Sequence, residues 1–101
     1  MHILTLEEEN LIDLLQQKDT DAFEAFCHKY APSIYGLLVS NFTDTDKCSL
    51  LLQKIFLQFY KELNYSTAFP NGLFVYLYRI AMRIASENKE TQLSFYNKLF
   101  R

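Results

Sequence analysis

Tyr76, Arg79 and Arg83 stand at i, i+3 and i+7 within a stretch of helical apolar spacing, so one helix face would gather an aromatic ring and two guanidinium groups. Guanidinium groups bind phosphates and an aromatic ring stacks on an unpaired base, which is the chemistry that single-stranded nucleic acid needs. The same residues also fit a plain solvated face whose Arg stems lie over apolar neighbours, with Glu87 placed one turn on to pair with Arg83. Just upstream, Tyr65, Phe69 and Asn71 fall in a turn-rich segment. They could take up a flipped base by stacking and amide hydrogen bonds, or Phe69 could plug the core while Asn71-Gly72 makes a turn. A third set, Lys47, Lys54 and Lys61, recurs every seven residues as a basic edge, with Gln53 and Phe56 close to it. It suits an acidic partner or phosphates, and equally the wet side of an amphipathic helix.

Catalytic chemistry has no comparable set. Cys27 and His28 are adjacent, and neighbours on a helix point about 100° apart, which is poor geometry for a thiol-imidazole dyad. There is no Gly-rich phosphate loop, no HExxH and no close carboxylate pair in an apolar setting, so the chain is expected not to be an enzyme. With only Cys27 and Cys48, no CxxC pair and no paired His spacing, neither a zinc site nor a disulfide framework is encoded. Both thiols are expected to be buried, and no cofactor is expected.

The elements that must position these residues follow from periodicity, since the chain has only two Gly and two Pro. Thr5 and Glu8 form a capping box, predicting a first helix over about Leu6 to Gln17 with Leu6, Leu11, Leu14 and Leu15 as its apolar line. A second should begin near Asp19 or Thr20 and reach about Asn41, because Phe23, Phe26, Cys27, Tyr30, Ile34, Leu37 and Leu38 share one stripe. Pro32 interrupts that stripe without shifting its phase, which predicts a kink near Lys29. The third helix is predicted over about Thr45 to Leu63, with Cys48, Leu51, Leu52, Ile55, Phe59 and Leu63 inward. Residues 64–72 form the one long loop, and a fourth helix follows over about Gly72 to Lys89 on Leu73, Leu77, Ile80, Ala81 and Ile84. The expected architecture is therefore all-α, a single small bundle of four main helices over residues 1–90, with residues 91–101 a tail or a short fifth helix.

Length and composition fit that picture. At 101 residues, half of them apolar, the chain supports one core. Its longest apolar stretch, near Leu50 to Phe56, is broken by Gln53 and Lys54 and is too short to span a bilayer. The N-terminus lacks the basic start and apolar run of a secretory signal, so a cytoplasmic location is expected. The net charge of −2 hides an asymmetry: residues 1–24 carry seven acids against Lys18, whereas residues 25–101 carry nine Lys and Arg against five acids. A polyanion would meet the later helices.

Three segments in order carry a family resemblance. The run from Asp21-Ala22-Phe23 through Tyr30-Ala31-Pro32 to Tyr35, then Leu51-Leu52-Gln53-Lys54-Ile55-Phe56-Leu57, then Leu77-Tyr78-Arg79-Ile80-Ala81, together resemble region 2 of RNA polymerase sigma-70 factors of the extracytoplasmic-function type. The similarity covers about residues 10–89. It implies a transcription-initiation domain whose third helix binds the coiled-coil clamp helices of the polymerase β′ subunit. The fourth helix and the loop before it would contact single-stranded promoter −10 DNA, and an anti-sigma protein is a further partner of the kind implied. Carried over by residue, Lys47, Gln53, Lys54 and Phe56 fall on the polymerase-binding helix, while Tyr65, Phe69, Asn71, Tyr76, Arg79 and Arg83 fall on the DNA side. Departures are specific. Lys47, Ser49, Leu50 and Lys54 stand where the family carries acids, Tyr76 where it has Trp, Phe74 where it has a basic residue, and Met82 and Arg83 where it has Arg and Asn. A protein-interaction module on the same fold, without promoter binding, is the alternative expectation.

Overall fold

The computed structural model describes residues 6–99 of the chain, and the side chains of residues 7–88. Four helices follow one another: α1 over Leu6–Gln16, α2 over Thr20–Asn41, α3 over Thr45–Glu62 and α4 over Leu73–Leu99. Among the described residues there is no strand, so the all-α bundle expected from periodicity is the fold. The tail behaves differently from expectation, because residues 91–99 continue α4 with no break and make no separate fifth helix. No helix in the described residues is long and apolar enough to cross a membrane.

Each junction has a local cause. Thr5 of the predicted capping box lies outside the described residues. At its far end α1 closes in a Schellman arrangement, with the Asp19 N–H donating to the Leu14 carbonyl at 3.1 Å and the Lys18 N–H to the Leu15 carbonyl at 2.9 Å. This puts Lys18 at φ 62°, a position that usually takes glycine. The Lys18 side chain offsets part of that cost: its ammonium donates to the Tyr60 carbonyl and lies 4.0 Å from the Tyr60 ring centre, tying the α1–α2 turn to α3.

Asp19 then caps α2, accepting from the Ala22 N–H at 2.8 Å. Helix α2 runs on through Pro32, whose missing N–H leaves the His28 carbonyl without its helical donor. Asp44 caps α3 by accepting from the N–H groups of Asp46 and Lys47 at 2.9 and 3.2 Å. Gly72, at φ 92°, turns the chain into α4 from a conformation that a side chain would oppose.

Helix α2 packs on α3, α3 on α4, and α2 also touches α4, while α1 lies against α2. Their shared interior is aromatic. Phe26 and Phe59, both fully buried, stack at 4.4 Å between centroids, with Phe56 edge-on to Phe26 at 5.8 Å. Leu73, Leu77, Ile80, Ala81 and Ile84 of α4 are all buried, as their spacing predicts. On α1, Leu15 is buried and Leu11 packs against the core, but Leu14 is exposed, its place on the inner side being taken by Ile12. Cys48 is buried as expected, whereas Cys27 is only half-buried.

Candidate functional site

The α3 C-terminus, the 63–72 loop and the first turns of α4 meet around one carboxylate. Glu62, the last residue of α3, accepts from the Tyr76 hydroxyl at 2.6 Å, from Gln58 Nε2 at 2.9 Å and from Arg83 Nη2 at 3.1 Å. Its own backbone carbonyl accepts from the Thr67 hydroxyl at 2.7 Å, so the same residue anchors the loop. Burial pushes the Glu62 carboxyl up, but the three side-chain hydrogen bonds and the Arg83 charge outweigh this and hold it below the usual carboxylate range. Conversely, burial first, and then the bond to Glu62 and its charge, push the Tyr76 phenol up to about 12 against a smaller opposing pull from Arg83.

This geometry redistributes the residues expected on the DNA side. Phe69 is buried, 6.2 Å from the Phe59 ring and 5.0 Å from the Tyr76 ring, so it is the core plug and not a base-stacking platform. Tyr76 is partly buried and, with Arg83, turns toward Glu62, so the three groups do not form one free outward face. The Tyr76 ring packs edge-on against Phe59 at 5.8 Å and its hydroxyl is held by Glu62. The cause is its position at the border of the core stripe, where a long aromatic ring reaches α3 and the loop. Arg83 remains at the surface, yet its partner is Glu62 on α3, not Glu87 on the next turn. Of the six, Tyr65, Asn71, Arg79 and Arg83 are exposed, and of these Arg83 is held by Glu62.

The α3 set is sorted in the same way. Gln53 and Lys54 point outward. Phe56 does not: it is buried against Phe26, because its position falls on the inner arc beside Phe59. Lys47 is half-buried and turned toward α4, where its ammonium reaches the Asn88 carbonyl at 3.4 Å and lies 4.9 Å from the Phe42 ring centre. The seven-residue basic edge is thus reduced to Lys54 and Lys61, both exposed and without a partner among the described residues. Beside them lies a feature that the sequence reading missed. Leu50 and Leu57 stand on the same outward side of α3, 66% and 53% exposed. Their seven-residue spacing, out of phase with the buried line, was the available signal.

Elsewhere, His28 is a surface residue 3.7 Å from Glu24. Cys27 and His28 line a shallow apolar groove with Ala31, Pro32, Tyr35 and Leu52. Burial, with a contribution from the Glu24 charge, pushes the Cys27 thiol up to about 11, which leaves it protonated and a poor nucleophile near neutral pH. Among the described residues no group of His, Cys, Asp and Glu is placed to hold a metal. The exposed side chains left over form an apolar-basic face on α3 and a sparser polar surface at Tyr65, Asn71 and Arg79. No family model, curated protein or solved structure matches the chain.

Proposed function

We propose that the chain is a transcription domain of the sigma region 2 type that docks on RNA polymerase through the outward face of α3. Promoter −10 DNA would then be met by Arg79, with Asn71 and Tyr65 on the adjoining loop. The reading rests on the order of the three resembling segments, and one structural observation carries its docking half. Leu50, Gln53, Lys54 and Leu57 leave the core together on the helix that the resemblance implies is the polymerase-binding one. Exposed leucines flanked by polar residues are a common mark of a protein-binding face. Phosphate contact through Arg79 leads in this proposal, since Phe69 is buried and the partly buried Tyr76 is packed against Phe59 and bonded to Glu62.

A second reading, a protein-interaction module without promoter binding, is favoured by Glu62, whose carboxylate pairs with Arg83 and weakens the positive field on α4. Retention of bacterial core polymerase, or of its isolated β′ clamp coiled coil, on the immobilised chain tests the first reading. Wild type should retain the coiled coil and Leu57→Asp should not. No retention by wild type refutes polymerase docking. Retention without binding of a −10 non-template oligonucleotide at low salt leaves the docking half alone standing.

A further inference from the structure

The outward face of α3 also carries information about what it binds. From Lys47 to Lys61 the helix has no acidic residue, and the acids that bracket it face elsewhere or lie at its end: Asp46 in the first turn, and Glu62 turned to Tyr76 and Arg83. Lys54 and Lys61 lie beside the Leu50 and Leu57 line, exposed and unmatched by any acid among the described residues. An ammonium row along an apolar line is complementary to an amphipathic helix with apolar residues on one side and carboxylates flanking them. A basic or neutral helix would bury the same leucines but leave the lysines facing like charge or nothing.

We infer that α3 docks an acidic amphipathic helix of a separate partner protein, its leucines meeting the apolar line and its carboxylates meeting Lys54 and Lys61. The inference rests on the docking reading above only in using α3 as the contact face, and it commits to an acidic helix as the occupant.

Two designed helical peptides of roughly 18 residues separate the possibilities, one with Glu flanking a Leu line and one with Lys in the same places. Titrated against the whole chain at low salt, the Glu peptide should bind and the Lys peptide should not, with binding weakening as salt is added. Lys54→Glu with Lys61→Glu should cost about tenfold or more and transfer preference to the Lys peptide. Leu57→Ser should cost about tenfold with either charge pattern, through lost apolar burial. All three changed side chains are exposed, so helical content by circular dichroism should be unaltered in each variant. Equal binding of the two peptides, or no binding of either, overturns the inference. If instead the chain self-associates in sedimentation equilibrium and the Lys-to-Glu pair abolishes this, the occupant is a second copy, with its acid-rich first 24 residues, and the separate partner is refuted. Failure to retain the β′ coiled coil while the Glu peptide still binds removes the polymerase reading and leaves this inference intact.

Discussion

Removing the Glu62 carboxylate should reveal how far the α3–α4 junction depends on it. The Tyr76 hydroxyl bonds to Glu62 at 2.6 Å in a partly buried setting, and a hydrogen bond to a charged group contributes about 1.5–3 kcal/mol. The Arg83 pair is more exposed and screened, adding about 0.2–1 kcal/mol. Glu62→Ala should therefore destabilise by about 2–3 kcal/mol, lowering Tm by roughly 10 °C for a domain of this size. The assay is urea and thermal unfolding followed by circular dichroism, with Tyr76→Phe and the double variant completing a cycle. A coupling of about 1–2 kcal/mol is expected, since the two changes remove the same bond. The pH dependence gives a second readout. Because the folded carboxyl titrates below its ordinary value, its contribution is fully present above that ordinary value and is lost as pH falls through the folded one. That acid-side loss should be absent from Glu62→Ala. Additive single effects, within about 0.3 kcal/mol, or an unchanged acid limb, would refute the argument.

Other substitutions probe the core, the proposed DNA surface and the thiols. Phe59→Ala empties the stacked centre of the bundle and should cost about 3–5 kcal/mol in chemical denaturation. Arg79→Glu should weaken oligonucleotide binding in fluorescence anisotropy at low salt more than Arg83→Glu does, because Arg83 is already paired. Glu62→Gln should instead strengthen that binding and steepen its salt dependence by about one phosphate contact; the reverse order of these effects would discard the DNA surface. In the folded chain neither Cys27 nor Cys48 should react rapidly with a disulfide reagent at mildly alkaline pH, the first because its thiol is pushed up to about 11 and the second because it is buried. Both should react once urea unfolds the chain. Asp44→Ala should cost about 1 kcal/mol, reading out the α3 cap.

The helices were legible because their boundaries depend on local chemistry. Asp19 starts α2 where its capping chemistry predicts, and α3 starts at Thr45 as its apolar period predicts, with Asp44 as its cap. The continuation of α4 to Leu99 was not legible, since Lys89, Glu90 and Thr91 interrupt the apolar line without a glycine or proline to stop the helix. Phe56 falls within the family-like run, yet its helical phase puts it beside Phe59 on the inner arc. Lys47 was spaced like Lys54 and Lys61, yet it lies near the α3 start, where α4 and Phe42 approach.

The Tyr76 outcome shows where single-helix projection runs out. On α4 the tyrosine stands between the buried line and Arg83, and a projection must assign such a border residue to one side. A phenol resolves the conflict by putting its ring inside and its hydroxyl on a polar partner. That partner, Glu62, is 14 residues away on another helix, so the choice depends on how α3 and α4 cross and not on α4 itself. Once Tyr76 is drawn in, the same carboxylate also captures Arg83, and two of the three groups that made α4 look like a nucleic-acid face are engaged by one acid. Arg79, on the far side of that face, escapes. The proposed recognition therefore rests more on α3, where Leu50, Lys54, Leu57 and Lys61 are exposed along one side of the helix.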